Sequence, residues 1–325
     1  MKPTFSIFAN GNDITAMLAD RLMSMVITDE DGFQSDTVSL TLDNRGHVIK
    51  IPSNGGVLDI RLGYAGKDVW LTGRYTIDEV ALSGRPDTIV IGAKAADMRN
   101  RMKAPRSRSW HGVTIGAMVE KIAEEHQYKP AVAASIASTV IPHVDQTEES
   151  DMHLLTRLAE QFGCVFKPAN GYLIFAPRQD LKSVTGKVMT PVTVLERDII
   201  EKWNYRSVER GKYQTVVARW RDIAGNVDVE EKAGNGDDPV FTIRNIYASA
   251  VEARAAAQAK KDALDRGTAT LDIPLIGTPA ARAEKPLVPV GFHPVIDGAE
   301  WFISRAIHTL NSSGFKTRIE AEIKK

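Results

Sequence analysis

The stretch VLDIRLGY, at Val57–Tyr64, alternates apolar and polar residues with a period of two. This alternation is typical of a β-strand that buries one face and exposes the other. The stretches TVSLTL at Thr37–Leu42 and FKTRIEAEI at Phe315–Ile323 show the same period towards the two ends of the chain. A longer strand-like run covers Val69–Leu82, in which Gly73 predicts a bend or a bulge. We therefore predict that both ends of the chain are mainly β.

The middle of the chain predicts helices instead. Thr114 is a good N-cap for a helix that runs to His126, and Ser150 is a good N-cap for a second helix. Both segments carry apolar residues at the i, i+3, i+4, i+7 spacing of one buried face. Gly163 fits the left-handed position that ends the second helix, and Asn170–Gly171 lies between two apolar runs, as in a tight hairpin. We expect a small α+β unit of helix, helix and hairpin.

After about residue 190 the pattern indicates strands again, interrupted by one helix. KYQTVVARW at Lys212–Trp220 and NVDVEEK at Asn226–Lys232 flank a short turn. Ser249 and Glu252 form a capping-box pattern that predicts a helix ending before Gly267. Because alanine buries little area, this helix should lie close against a sheet or a partner. Its predicted buried stripe includes Ala256, Ala263 and Leu264.

Length and composition limit the class of protein. A chain of 325 residues predicts two or three domains. Lys plus Arg and Asp plus Glu both number 41, and this balance argues against a dedicated nucleic-acid binder. The single cysteine excludes an intramolecular disulfide. The first apolar run is too short for a signal peptide, and no apolar run is long enough to span a membrane. We expect a protein made and folded in a cytoplasm.

One short segment raises the question of catalysis, because Asp151, His153 and Cys164 lie within sixteen residues of ESDMHLLTRLAEQFGC. At about 1.5 Å per residue, however, eleven helical residues separate His153 from Cys164 by about 16 Å, far beyond hydrogen-bond reach. We interpret Cys164 as a small buried residue that opens a strand, and the segment as scaffold.

The remaining candidates for chemistry are also weak. The histidines show no zinc-binding spacing, and with one cysteine a structural zinc site is not expected. The acidic neighbours Asp78–Glu79 and Glu230–Glu231 should point to opposite faces of strands. Gly55–Gly56 and Gly234–Gly236 lack the strand-to-helix context of a phosphate-binding loop. We therefore predict no catalytic, cofactor-binding or metal-binding residue. The histidines considered are His47, His111, His126, His143, His153, His293 and His308.

The strongest charge feature is the basic run RNRMKAPRSR, which contains no acidic residue. One interpretation is a surface for an anionic partner such as nucleic acid. The interpretation that we favour is a solvated connection between domains, whose arginines pair with acids of a neighbouring domain or subunit. Residues 130–146 predict a second connection, with a weak helical piece. The basic residues of the run are Arg99, Arg101, Lys103, Arg106 and Arg108.

With this three-part pattern established, the sequence resembles the phage late control gene D proteins, the baseplate hub proteins of contractile-tailed phages and related devices. The resemblance covers nearly the whole chain and depends on several segments in a fixed order. Each segment alone is mainly an amphipathic pattern with turn residues. The segments are WLTGRYTIDEV, AADMRNRMKAPRSRSWHGVTIGAMVEKIAEEH, VDQTEESDMHLLTRLAEQFGCVFKPANGYLIF, YASAVEARAAAQAKKDALDRGTATLDIPLIGTP and EWFISRAIHTLNSSGFKTRIEAEI.

The resemblance implies two β-barrel domains like those of tail-tube subunits, separated by a small α/β domain. We expect one barrel at residues 1–98, the small domain with two helices and a hairpin at residues 99–185, and the second barrel with the Ala-rich helix at residues 186–325. In such hubs three chains form a ring, so that six similar units face a hexameric tube and a trimeric spike is seated opposite. The family carries no catalytic residues to transfer.

The function that this resemblance implies is that of a homotrimeric symmetry adaptor in a tail baseplate, without enzymatic activity or a cofactor. Its expected partners are the tail tube protein, the central spike protein and other baseplate subunits, with assembly in the host bacterial cytoplasm. We expect no stable membrane association, and DNA only as cargo in the lumen. A lumen with dense positive charge would hold a polyanion, so the run Arg99–Arg108 should lie elsewhere. Whether the particle is an infectious phage, a prophage remnant or a bacteriocin-like device stays open.

Two alternatives remain at the level of sequence. The first is a cell-wall hydrolase carried at a tail tip, which would use Asp151, His153 and Cys164. The second is a binding module for glycans or nucleic acid, which would use the run Arg99–Arg108 and should bind less tightly as salt is added.

Overall fold

The structure is a computed structural model that describes residues 1–32, 34–67, 70–95, 101–178, 186–208, 213–236, 239–266 and 268–324. Strand accounts for 52% of the residues and helix for 19%, so the prediction of a mainly β chain with α+β insertions is confirmed. No helix in the described ranges combines the length and the apolar character that a membrane span requires. Four positions named above lie outside the described residues, as does the side chain of Arg101: Val69, Arg99, Lys212 and Gly267.

The first part of the chain consists of strands joined by short turns, and the alternating stretches form two of these strands as predicted. In the second of the two, Leu58, Ile60 and Leu62 are buried. The elements are β1 (Pro3–Ala9), β2 (Asn12–Asp13), α1 (Thr15–Leu18), β3 (Leu22–Glu30), β4 (Thr37–Asp43), β5 (Val57–Tyr64), β6 (Leu71–Ser83) and β7 (Thr88–Lys94), with a 3-10 turn at Arg45–His47.

The prediction for Gly73 was wrong. Gly73 lies in regular register opposite Ile60, and the bulge of β6 falls between Ile77 and Glu79. A side chain at position 73 would clash with the ring of Tyr75 two residues further along. The glycine therefore provides room for an aromatic ring over the strand, which is another reason for glycine inside a sheet.

The middle of the chain is the predicted α+β unit. Thr114 and Ser150 cap its two long helices by accepting hydrogen bonds from Ala117 N and His153 N. Asn170 and Gly171 have φ of 51° and 80°, as a tight hairpin turn requires. The elements are β8 (Pro105–Thr114), α2 (Ile115–Glu125), β9 (Lys129–Val132), α3 (Ala134–Ala137), β10 (Val140–Ser150), α4 (Asp151–Gln161), β11 (Cys164–Ala169) and β12 (Tyr172–Pro177), preceded by a 3-10 turn at Arg101–Lys103.

Two strands of this unit were predicted as connections, and that prediction was wrong. β8 contains the end of the basic run, and β10 contains the last part of residues 130–146, from Val140 onwards; the two strands pair in an antiparallel ribbon. The period of two is present in β8, but it alternates arginine with serine instead of apolar with polar residues. Arg106 and Arg108 are half-buried, whereas Ser107 and Ser109 are exposed. Hydrophobicity alone could not reveal such a strand.

The last part of the chain is β-rich with one long helix. The elements are β13 (Val192–Leu195), β14 (Asn204–Ser207), β15 (Thr215–Asp222), β16 (Val227–Gly234), β17 (Val240–Tyr247), α5 (Ala250–Asp265), β18 (Ala269–Ile276), β19 (Pro286–Val290), α6 (Pro294–Asp297), β20 (Trp301–Asn311) and β21 (Gly314–Ile323), with a 3-10 turn at Glu196–Asp198. Helix α5 packs on the sheet β16–β15–β17, as its alanine content predicted. Its buried residues include Ala253, Ala256 and Ala257, whereas Ala263 is exposed, contrary to the prediction.

A single sheet joins the first and last parts of the chain. Its main path is β14-β18-β21-β20-β3-β4-β7-β6-β5-β1-β2, and β19 and β13 extend it from β20. The joint is the antiparallel pair β3–β20, which runs from Arg305 opposite Glu30 to Asn311 opposite Ser24. The described strand pairs close no barrel, so the two-barrel part of the prediction is not confirmed.

Apolar side chains divide the sheet into two halves, each with its own core. One core forms around Leu40, Leu42 and Ile60 in the first half, and the other forms around Ile273, Trp301 and Ile319 in the last half. The middle unit has a third core, to which both long helices contribute. The expected domain boundaries after residues 98 and 185 both border residues outside the described ranges and stay a prediction.

Candidate functional site

The three residues considered for catalysis do not form one site. The Cys164 thiol is buried at the start of β11, and its sulfur lies 3.5 Å from the carbonyl oxygen of Phe162. Burial raises the pKa of this thiol to about 12, so it is protonated at neutral pH. His153 is exposed, and its Nδ1 lies 2.5 Å from a carboxylate oxygen of Glu149. The interpretation of Cys164 as a small buried residue that opens a strand agrees with this geometry.

Asp151, the third of these residues, belongs to a buried ionic cluster. Arg108 Nη2 lies 2.5 Å and Arg106 Nη1 3.4 Å from its carboxylate, and both guanidinium groups also contact Glu125, at 3.0 and 2.6 Å. The two arginines thus pair with acids on α2 and α4 of their own unit. The prediction of partners on a neighbouring domain or subunit was wrong, because one face of β8 lies over these helices.

Hydrogen bonds fix the ionised form of Asp151. Burial by itself would raise the pKa of this carboxyl, but hydrogen bonds from His126 and Gln146 and the charges of Arg108 and Arg106 lower it below its usual value. The His126 Nε2 atom lies 2.8 Å from Asp151 Oδ2, and Gln146 Nε2 donates to Oδ1 at 2.8 Å. Such complete pairing is what a buried carboxylate needs.

This cluster contains three side chains of the type that bind metal ions: Glu125, His126 and Asp151. Their carboxylates, however, already contact two guanidinium groups. Two positive and two negative charges balance, and a dication would have to displace the arginines. The arrangement therefore fits a structural ion-pair network better than a metal centre.

The two acidic pairs behave differently from each other. Glu231 faces α5 and contacts Arg254 at 3.1 Å, whereas Glu230 on the same strand is exposed, as predicted for opposite faces. Asp78 and Glu79 were also predicted to point to opposite faces. They lie at the bulge of β6, and carboxylate oxygens of both approach within 3.8 Å of the position that a Cβ on Gly92 would occupy. The bulge therefore brings both carboxylates to one side of the sheet.

All three parts of the chain meet at one group of ion pairs. We call it the junction cluster. It forms around the acidic segment that covers the end of β3 and the connection to β4, with cations supplied by the middle unit and by β20. Its members are Asp29, Glu30, Asp31, Asp36, Lys167, Arg178 and Arg305.

Two cations of the middle unit insert into this acidic segment. Lys167 Nζ lies 2.5 Å from Asp36 Oδ1 and 3.6 Å from Asp29 Oδ1, and it donates to the Glu30 carbonyl oxygen at 2.6 Å. Arg178 Nη2 donates to Asp31 Oδ2 at 2.5 Å. These contacts attach the hairpin β11–β12 to the end of β3.

The last part of the chain supplies the third cation. Arg305 of β20 contacts Glu30 at 2.7 Å and Glu320 of β21 at 3.3 Å. Arg305 and Glu30 are also the first two residues that face each other where β3 pairs with β20, so this ion pair lies at one end of the joint between the two halves of the sheet. The junction cluster therefore fixes the middle unit and both halves of the sheet relative to one another.

Burial controls the protonation of the junction cluster. Burial and the neighbouring charge of Asp36 raise the pKa of Asp29 to about 7. Burial would lower the pKa of Lys167, but the charges of Asp36 and Asp29 raise it. With Asp29 protonated, Asp36, Asp31 and Glu30 pair with Lys167, Arg178 and Arg305, respectively.

The acidic part of the junction cluster has a signal in the sequence, although the predictions above do not include it. The segment TDEDGFQSD at Thr28–Asp36 carries four acids in nine residues, which is a signal for a cationic partner. Its partners Lys167 and Arg178 lie more than 130 residues further along the chain. No local pattern connects them to this segment.

A groove of about 1280 Å³ lies beside the middle unit, between α4 and β10 on one side and α5 and β17 on the other. Within the described ranges, β10 pairs only with β8, and β17 pairs only with β15. The groove therefore runs along two edge strands, each of which pairs with a neighbouring strand on one side only. A hydrogen bond from Gln161 to Glu252, at 3.4 Å, links the two sides. Burial raises the pKa of Glu252.

Comparison with known proteins agrees with this architecture. The sequence profile of the family described as phage tail baseplate hub (GPD) matches residues 76–314. The chain is 33% identical to the probable baseplate hub protein of Escherichia phage P2, over all of this chain and 94% of that protein.

Solved structures of tail proteins share the fold. The tail protein from Neisseria meningitidis MC58 superposes with a TM-score of 0.74 at 12% identity, over 100% of this chain and 97% of that one. The 43 kDa tail protein of prophage MuSo2 from Shewanella oneidensis superposes with a TM-score of 0.71 at 15% identity, over 98% of both chains. At these identities the likeness concerns the fold alone.

Proposed function

Because the chain belongs to the phage tail baseplate hub family, as its resemblance to the gene D proteins predicted, we propose that it acts as a homotrimeric symmetry adaptor. In a contractile phage tail or a phage-tail-like particle, it would join the hexameric tail tube to the trimeric central spike. The observation that carries this proposal is the sheet with two halves and two cores. Three chains with two sheet units each present six units in a ring.

The domain arrangement follows from the same proposal. Residues 1–98 and 186–325 each form a tube-like barrel unit of the ring, and residues 99–185 form the small α/β domain between them. The exposed ends of the sheet support this division. β2 and β14 are the terminal strands of the described path, where closure or contact with a neighbouring subunit would satisfy their free edges.

The junction cluster suits a hub mechanically. A symmetry adaptor functions by holding its units at fixed angles, and ion pairs that are largely buried allow only a narrow range of geometry. Lys167, Arg178 and Arg305 tie three parts of the chain to one acidic segment. We propose that this cluster keeps the two units of each subunit rigid while tube and spike are attached.

The partners in this proposal are the tail tube protein, the spike protein and other baseplate subunits. DNA passes through the lumen only as cargo, and the site of action is the tail baseplate after assembly in the bacterial cytoplasm. No catalytic step and no stable membrane association are part of the proposal. The pairing of Arg106 and Arg108 with Glu125 and Asp151 supports a lumen without this basic run, because these charges are already neutralised.

The alternative functions gain less support from the geometry. A hydrolase with Cys164 as nucleophile would need a thiolate, but burial raises the pKa of this thiol to about 12. An anion-binding surface on the basic run would need free guanidinium groups, but Arg106 and Arg108 are engaged with carboxylates. We therefore propose neither function.

The proposal is tested by electron cryomicroscopy of the assembled particle together with the mass of the purified chain. We expect three copies in one ring at the junction of tube and spike. With one chain at 35.7 kDa, a trimer has a mass of about 107 kDa. A map with six copies, or with no density for this chain at that junction, would refute the adaptor role.

A further inference from the structure

Two histidines lie side by side on the ribbon β8–β10, outside the ionic clusters described above. His111 is directly opposite His143 in the register of the two strands. Their Nδ1 atoms are 2.9 Å apart, and their ring centroids are 4.5 Å apart at an interplanar angle of 31°. Both residues are exposed, and the His143 side chain retains 45% of its accessible surface. Solvent ions can therefore reach the pair.

A carboxylate orients one of the two rings. Asp145 Oδ2 lies 3.1 Å from His143 Nε2, and Ser109 Oγ donates to the other carboxylate oxygen of Asp145 at 2.6 Å. Because a carboxylate accepts hydrogen bonds, it favours the His143 tautomer that carries its proton on Nε2. The lone pair of His143 then lies on Nδ1, on the side of His111. A carboxylate behind a histidine in this way is the usual support of a metal-binding imidazole.

The distance between the two Nδ1 atoms fits a shared metal ion. Metal–nitrogen bonds of about 2.0–2.1 Å that meet at about 90° place two nitrogen atoms about 2.9 Å apart. The ring centroids are closer together than a collinear N–H···N hydrogen bond between these nitrogens would place them. The two rings are therefore not arranged as in a collinear N–H···N hydrogen bond.

We propose that His111 Nδ1 and His143 Nδ1 chelate one divalent late transition cation such as Ni²⁺, Cu²⁺ or Zn²⁺. Imidazole nitrogen is a preferred ligand of these ions, and an angle near 90° favours square-planar or octahedral coordination over tetrahedral. Water completes the coordination sphere, and Asp145 acts behind His143 as a positioning residue. The bound ion would link β8 to β10 independently of the hub role.

This site differs from the cluster of Glu125, His126 and Asp151 in its charge. There, the carboxylates contact two arginines and the histidine is buried. At His111 and His143, the charged partner is the carboxylate of Asp145, which favours a cation. The exposed pair can also bind its ion without rearrangement of the core.

The test is a titration of the full chain, without an affinity tag, with NiCl₂ at about pH 7.5. Isothermal calorimetry should show one Ni²⁺ per chain. His111→Ala and His143→Ala should each weaken binding at least tenfold, and Asp145→Asn should weaken it about tenfold by removing support for His143. His153→Ala and His47→Ala are matched controls, because both residues are exposed histidines elsewhere on the surface.

A spectroscopic measurement counts the nitrogen ligands of the bound ion directly. Electron paramagnetic resonance of the wild-type chain with one equivalent of Cu²⁺ should show two nitrogen ligands, and each single variant should show one fewer. Absence of Ni²⁺ binding by the wild type at about 100 μM would overturn the proposal. So would one-to-one binding that persists in the double variant His111→Ala/His143→Ala.

Discussion

Asp29 shows how a single residue can link stability to pH. Its carboxyl is largely buried beside Asp36, and its pKa in the folded state, about 7, lies well above the ordinary value of 3.8 for an aspartate. Between these two values the unfolded chain loses the proton while the folded chain keeps it. Raising the pH through this window therefore favours unfolding, and above about 7 the folded chain carries the full cost of a buried charge.

Replacing Asp29 with Asn should remove this dependence. The amide of Asp29→Asn is neutral at every pH and can still donate to Asp36. Relative to the variant, the wild type should lose on the order of 2 kcal/mol of unfolding free energy between about pH 5 and about pH 8. Urea unfolding at the two pH values measures this difference.

Asp20→Asn is the control, since Asp20 is an exposed acid paired with Arg45. The difference between wild type and Asp20→Asn should be nearly the same at both pH values. An Asp29→Asn variant whose stability relative to wild type also stayed constant would show that Asp29 is already ionised at pH 5.

At the scale of elements, helix α4 shows how the side chains next to its first turn determine where the helix begins. Ser150 accepts a hydrogen bond from His153 N, which satisfies one of the free N–H groups at the start of the helix. Asp151 follows in the first turn, where the helix dipole favours an anion, and it is held there by Arg108 and His126. The cap and the ionic cluster therefore reinforce the same helix end.

We expect Ser150→Ala to lower the free energy of unfolding by about 1 kcal/mol, the usual effect of losing a side-chain cap. Ser150→Asn keeps an oxygen acceptor at the same position and should cost only a few tenths of a kcal/mol. Chemical denaturation of the three proteins measures the series. Equal losses in both variants would indicate that the Ser150 hydroxyl does not act as a cap.

Elements with a local signal could be predicted from the sequence. The alternation of apolar and polar residues at Val57–Tyr64 predicts a strand, Ser150 predicts a helix start, and Asn170–Gly171 predicts a hairpin turn. Each of these forms the expected structure. The strand β8 could not be predicted in this way, because its buried face presents arginines to carboxylates instead of apolar groups to a core. Bulges such as that between Ile77 and Glu79 also lack a signal, since register depends on the partner strand.

At the scale of the whole molecule, the organisation depends on contacts between distant segments. The β3–β20 joint pairs Glu30 with Arg305, 275 residues apart, and the hairpin β11–β12 reaches the same place through Lys167. Family resemblance indicated the overall class of this fold, but composition and periodicity could not specify which strands meet or which cations enter the acidic segment. These contacts decide the relative position of the units and hence the shape offered to partners.

Lys167 should therefore matter more than an exposed lysine of equal charge. Lys167→Met leaves the largely buried carboxylate of Asp36 without its cation, and breaking a buried pair in this way typically costs about 3–5 kcal/mol. Lys316→Met is the control: it removes an exposed pair with Glu201 and should cost at most about 1 kcal/mol. Urea unfolding gives these values, and hydrogen exchange should show faster opening at β11 and at the end of β3.

The double variant Lys167→Met/Asp36→Asn separates pairing from packing. If the loss comes from an uncompensated carboxylate, this variant should regain part of the stability that Lys167→Met loses. A double variant as unstable as the sum of its single changes would show that Lys167 contributes through its alkyl chain.

Because β20 lies near the end of the chain, β3 lacks its neighbouring strand until translation is nearly complete. β3 begins at Leu22, yet the strand that covers its outer side ends at Asn311. Throughout most of translation, the nascent chain therefore displays β3 with one row of amide and carbonyl groups uncovered, a template for pairing with other chains. Any product that stops before Trp301 keeps that edge open permanently, so truncated chains should aggregate or be degraded, and only finished chains should enter the particle.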